Sequence, residues 1–178
     1  MKRNAALFLL VFLVASFSAT VIANGYNPHP RPIDGFMNGG ASWAMDGKCD
    51  AVNGDPVNGI PGVTTKSDMV GDVSHLGRTE YHSTHCATND ASQLLLGDAT
   101  LIAANGDEIW LEYTANVIPP VMIPGTVVYE VTNVVVGGTG RFENATGVIP
   151  ALVFVTITFD GGIPNAQLDM EFSGNLSY

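Results

Sequence analysis

Basic residues are scarce in this chain. Seven Lys and Arg stand against seventeen Asp and Glu, for a net charge of −10. Such a field repels phosphate backbones and anionic lipid, which argues against nucleic acid as a partner and against docking on a membrane surface. Cysteine is limited to Cys49 and Cys86. The sequence has no Cys-x-x-Cys pair, no Walker loop, no Gly-x-Gly-x-x-Gly in a strand–helix context and no Gly-x-Ser-x-Gly elbow. The redox, nucleotide and hydrolase readings that rest on those devices therefore fall away. Helical periodicity is scarce too, and no apolar run after the first is long enough to span a bilayer.

That first run, Ala5 to Phe17, is itself short for a transmembrane helix. Lys2 and Arg3 precede it and Val21-Ile22-Ala23 follow, which is the order of a secretory signal peptide cut after Ala23. The alternative, an uncleaved anchor, lacks a basic stop-transfer flank. Residues 1–23 are thus expected to be removed, leaving 155 residues, enough for one domain. The remainder carries five basic and seventeen acidic residues, a net −12. The expected location is extracellular or periplasmic, with no membrane insertion after cleavage. In such an oxidising compartment Cys49 and Cys86 are natural partners, the alternative being two free thiols. A bridge across the intervening 36 residues would add roughly 3–4 kcal/mol by loop entropy. Residues 24–33 are short, polar and proline-bearing and read as a flexible leader. Residues 34–178 are left for the folded domain.

Two-residue alternation dominates that domain. In Glu108 to Val117, Ile109, Leu111, Tyr113, Ala115 and Val117 share one face. Glu108, Glu112, Thr114 and Asn116 share the other, with Trp110 the exception. In Ala166 to Leu176, Ala166, Leu168, Met170, Phe172 and Leu176 oppose Gln167, Asp169, Glu171, Ser173 and Asn175. Only a strand sorts residues this way. Val127 to Val136 and Val148 to Phe159 are apolar on both faces and rich in β-branched residues. Ala104-Asn105-Gly106-Asp107, Asp160-Gly161-Gly162 and the prolines at 119, 120 and 124 supply turns. Roughly eight strands follow, near Met37–Met45, Thr64–Val70, Gly77–His85, Gly97–Ala103, Glu108–Val117, Val127–Val136, Ile149–Phe159 and Gln167–Leu176. The fold class is all-β, a sandwich or a barrel.

Gly137-Gly138-Thr139-Gly140-Arg141-Phe142-Glu143-Asn144-Ala145-Thr146-Gly147 lies between two apolar strands. Its glycines allow backbone angles closed to other residues, letting Phe142 and Ala145 tuck under as a plug and Arg141 hold carbonyls or a carboxylate at a rim. This segment resembles the glycine-rich corner of the dirigent and allene oxide cyclase barrel superfamily. Gly71-Asp72-Val73-Ser74-His75-Leu76-Gly77-Arg78 is similar to a second segment of secreted bacterial barrels of the allene oxide cyclase-like group, and Gly97 to Gly106 to the strand and hairpin that follow there. The resemblance implies an eight-stranded antiparallel β-barrel, calycin-like, trimeric in plant members. Those members handle hydrophobic small molecules, guiding radical coupling or cyclising an unstable epoxide. It transfers no catalytic residue, because no pocket position can be matched.

The densest chemistry lies in His75, Arg78, Glu80, His82, His85 and Cys86. Alternation puts Arg78, Glu80, His82, Thr84 and Cys86 on one face, and Thr79, Tyr81, Ser83 and His85 on the other. Glu80 and His82 suit an acid–base pair lining a barrel mouth, with Arg78 beside them, and these three are the catalytic candidates. His75, Tyr81, Trp110, Tyr113 and Arg141 are the candidates for binding. The bland account makes all of them ordinary strand, turn and rim residues. A metal on His82 and His85 is disfavoured by their opposite faces. Asp46, Asp50, Asn53 and Asp55 offer oxygens to a calcium ion, though without helix-loop-helix spacing, so no metal and no cofactor is assigned. The triplets at Asn144 and Asn175 are taken as incidental.

Three functions fit these residues. The first is a secreted barrel that binds a small hydrophobic molecule without turning it over. The second is a dirigent- or allene-oxide-cyclase-like guide, which as an enzyme would be an isomerase or cyclase. The third is a structural or interaction protein of the extracellular space, a homo-oligomer such as a trimer, acting through its outer faces.

Overall fold

The computed structural model describes residues 29–49, 63–88, 90–118, 125–161 and 163–178. The expected signal peptide, residues 24–28 of the expected leader, Asp50, Asn53 and Asp55 of the calcium candidate, and the prolines at 119, 120 and 124 lie outside the described residues.

Eight strands run in chain order: β1 (Arg31–Met45), β2 (Val63–Val73), β3 (Gly77–Ala87), β4 (Gln93–Ile102), β5 (Glu108–Val117), β6 (Thr126–Gly138), β7 (Thr146–Asp160) and β8 (Ile163–Ser177). Each pairs antiparallel with the next, and β1 pairs with β8, from Arg31 opposite Leu176 to Ala41 opposite Ala166. The sheet is a closed all-β barrel. Closure removes every strand edge, which is how an all-β chain of this size avoids edge-to-edge association.

The alternation seen in the sequence becomes inside and outside. Ile109, Leu111, Tyr113 and Ala115 of β5 are buried, as are Leu168, Met170, Phe172 and Leu176 of β8. Trp110 faces out. β1 begins earlier than Met37, so Arg31 to Ile33, placed in the leader by composition, belong to the barrel; Ile33 is fully buried.

One end of the barrel is plugged. The turns 73–77 and 103–107 and the corner from Gly137 to Thr146 gather there. In the corner a short 3-10 turn, Gly140–Phe142, drives the Phe142 ring into the core, where it meets Tyr178 edge-on at 4.8 Å between centroids. Gly140 has φ +56°, and a Cβ there would land on the Asp107 carboxylate, so glycine is required. Arg141 donates from Nη2 to the His75 carbonyl at 2.8 Å and places Nε 3.6 Å from Asp107 Oδ2. The corner is thus tied to both neighbouring turns. The other end of the barrel is hollow.

Candidate functional site

Inside the hollow end lies a cavity of about 200 Å³. Its walls come from the inward residues of every strand. The β6–β8 side is apolar, with Val131, Val153, Val155, Leu168 and Met170; the β2–β3 side carries Thr65, Ser67, Tyr81, Ser83 and His85. No Asp, Glu, Lys or Arg lines it. The cavity is therefore neutral but polar along one wall.

The polar groups converge. His85 Nδ1 and the Tyr113 hydroxyl are 2.7 Å apart, and the rings meet edge-on. Ser83 and Tyr81 line the same wall beside this pair. Gly97 makes this convergence fit. It sits opposite Tyr113 on β4, and a Cβ there would come within 2.6 Å of the tyrosine ring. The bare backbone leaves room for Tyr113 to lie across β4 and reach β3. Ordinary alternation turns His85 inward and Cys86 outward, and both are buried; the register with β4 shifts between Thr84 and Cys86. Cys86 is covered by the strap Asp46–Cys49, to which it is joined by the Cys49–Cys86 disulfide. Lys48 of the strap donates to the Thr84 carbonyl at 3.0 Å and pairs with Asp98 at 2.6 Å.

Burial sets the charge state of the cluster. It pushes His85 down to about 4, helped by the nearby Lys48 charge, so the imidazole is neutral at physiological pH. It pushes the Tyr81 phenol up to about 12 and holds that of Tyr113 well above its ordinary value. All three are neutral donors and acceptors. Tyr129, also in the lining, spends its hydroxyl on the Ala91 carbonyl at 2.7 Å.

The structure corrects the placement of the catalytic candidates. Arg78, Glu80 and His82 lie on the outer face of β3, exposed to solvent and away from the cavity. The alternation holds, but the charged face is the outer one, because an apolar interior cannot hold unpaired charges. His82 instead lies between two outer carboxylates, 2.6 Å from Asp68 and 3.5 Å from Glu80; the hydrogen bond to Asp68 raises its pKa. Of the binding candidates, Tyr81 and Tyr113 line the cavity. Trp110 is on the outer wall, donating to Glu108 Oε2 at 2.8 Å. His75 and Arg141 belong to the plugged end, where His75 Nε2 lies 3.1 Å from the Pro32 carbonyl. Ser83 and His85 share the uncharged face of β3 in the sequence without standing among the candidates, and nothing local in the sequence marks the role of Gly97. Asp46 accepts from Thr64 and pairs with Lys66 at 3.2 Å. Among the described residues, no group of three or more His, Cys, Asp or Glu is placed to hold a metal ion.

The chain is thus a closed eight-stranded antiparallel barrel with one plugged end and a neutral, one-sidedly polar cavity in the other. No family model matches the sequence, and no curated protein matches it. Among solved structures it is similar to the pterocarpan synthase dirigent protein GePTS1, with 13% identity, a TM-score of 0.45, and coverage of 84% of this chain and 86% of that one.

Proposed function

We propose that this is a secreted binding protein for a small, uncharged, mostly apolar molecule bearing one hydrogen-bonding group. The observation that carries this is the cavity of about 200 Å³, apolar on one side and lined on the other by Tyr81, Ser83, His85 and Tyr113, with no charged side chain. A charged ligand would lose its hydration and find no counter-ion. An apolar body against β6–β8 and a hydroxyl or carbonyl toward His85 and Tyr113 satisfies both walls. The Cys49–Cys86 disulfide suits an oxidising compartment and supports the secreted reading.

The test is displacement of a neutral fluorescent probe, N-phenylnaphthylamine, by small aromatic alcohols. Filling the cavity with Ala166→Leu should weaken probe binding by about tenfold or more, since the added atoms compete for the same space. Tyr113→Phe should weaken the alcohols by about five- to tenfold while sparing the probe, by loss of one buried hydrogen bond. Probe affinity indifferent to Ala166→Leu would end the proposal.

A second reading, a dirigent-like guide for a reactive intermediate, draws support from the convergence of four polar groups beside hollow apolar space. In that case His85 and Tyr113 would do the steering, and the bound molecule would leave chemically changed.

A further inference from the structure

The outer wall carries a pattern that the cavity does not use. Asp72, Phe36, Glu171, Leu152 and Glu130 stand directly opposite one another across β2, β1, β8, β7 and β6. All five are exposed. Acidic and apolar side chains therefore alternate along a single row running across the strands. Adjacent strands lie about 4.8 Å apart, so a carboxylate recurs about every 10 Å with an apolar group between. The row crosses an open groove of about 630 Å³, whose lining adds Asp34 and Pro150 and includes no Lys or Arg. Among the described residues, Asp34, Asp72, Glu130 and Glu171 make no ion pair.

We propose that this groove docks a cationic amphipathic protein segment, with Lys or Arg spaced about 10 Å apart and apolar side chains between them. Charge complementarity selects the occupant. Asp34, Asp72, Glu130 and Glu171 surround exposed Phe36, Pro150 and Leu152, with Arg78 opposite Asp72 at the β3 end of the row; the excess of negative charge attracts a basic chain and the apolar groups offer it a contact. A second copy of this protein would bring the same carboxylates face to face, which opposes self-association here. The closed barrel has no free edge, so recognition runs through side chains rather than by adding a strand. A polyproline-type segment rises about 3.1 Å per residue with three residues per turn, which puts every third residue on one side about 9.3 Å apart. Basic residues at every third position therefore match the row.

Fluorescence anisotropy with a labelled Lys-Pro-Leu repeat peptide tests this on the full barrel. Binding should fall by about tenfold or more between about 50 and about 300 mM salt, because exposed charges are screened. It should also fall about tenfold or more in the triple variant Asp72→Asn, Glu130→Gln, Glu171→Gln, and severalfold in Phe36→Ser or with a Lys-Pro-Gly repeat. A control triple that removes equal charge elsewhere, Glu112→Gln, Glu143→Gln, Asp160→Asn, should bind as the unaltered protein does. All of these positions but the apolar one are exposed acids, and circular dichroism checks that each variant folds. Equal loss in both triples would reduce the effect to net charge and overturn the site. Peptide binding indifferent to the first triple would overturn it too. So would sedimentation showing a dimer that Phe36→Ser dissociates, which would make a second copy the occupant.

Discussion

His82 and His85 sit three positions apart on β3 and face opposite environments, so they respond to pH with opposite sign. His85 is buried, and its pKa is held at about 4, below the ordinary value of 6.5. Below pH 6.5 the unfolded chain takes up a proton that the native site excludes. Stability therefore falls as pH drops from about 6.5 to about 4 and then levels; a shift of this size corresponds to roughly 3 kcal/mol. His82 is raised by its hydrogen bond to Asp68. Its contribution is complete below pH 6.5 and is lost as pH rises through the raised value, and screening keeps it small because the pair is exposed. Urea unfolding across this range separates the two. His85→Gln should flatten the acid-side slope by most of that amount. His82→Gln should leave the acid side alone and remove only the loss above pH 6.5. An unchanged acid slope in His85→Gln would mean that the imidazole is not buried beside Tyr113. The same pair shows what the sequence held at this scale. Thr79, Tyr81, Ser83 and His85 form an uncharged face, and Arg78, Glu80 and His82 a charged one; the uncharged face was the one to choose for an apolar cavity.

Strands legible to the residue and strands legible only in part differ by chemistry. β5 is legible from Glu108 to Val117 as it stands, because its apolar and aromatic residues alternate with polar ones. β1 is legible only from Met37, since Pro32 and Gly35 depress strand propensity in its first residues and Gly39 and Gly40 weaken the pattern beyond. Tertiary pairing with β2 and β8 overrides them. Gly39, for instance, allows the backbone of Asp68 to approach so closely that a Cβ would collide with its carbonyl. The glycine-rich corner is legible in the sequence: Phe142 is the plug and Arg141 the clasp on the His75 carbonyl. Phe142 has no exposed surface, so Phe142→Ala should cost about 3–5 kcal/mol in urea or thermal unfolding, through lost burial and the void it leaves. The cavity lies at the opposite end, so probe affinity per folded molecule should be unchanged. A much smaller loss, or a parallel loss of probe binding, would show that the corner is not an independent plug.

At the scale of the whole molecule, the barrel needs a ring of paired strands rather than a particular starting point. Every neighbour pair but one is consecutive in the chain; the exception is β1 with β8, whose register spans from Arg31–Leu176 to Ala41–Ala166. Those two strands close the ring and bring their ends together. Arg31 Nη1 lies 3.3 Å from the Tyr178 hydroxyl, with its guanidinium over the tyrosine ring at 4.9 Å. The closing pair is invisible to local pattern, because alternation marks a strand and its two faces but not its partner. It is also the pairing with the largest loop-closure cost, which slows folding. A circular permutant should therefore fold. Joining residue 178 to residue 31 through a short glycine–serine linker turns the closing pair into a hairpin, and the chain is then opened between Asn105 and Gly106. That turn is exposed, and a side chain at Gly106 would meet nothing within 4 Å. The new ends fall at the plugged end, away from His85 and Tyr113. The permutant should keep the β spectrum and the probe affinity of the parent, and lose no more than about 2 kcal/mol for giving up one tight turn. Its β1–β8 pairing should form faster in stopped-flow refolding, since the separation of the two strands has shrunk from most of the domain to a linker. A permutant that stays unfolded would show that the β4–β5 hairpin, rather than the closed ring, organises the fold.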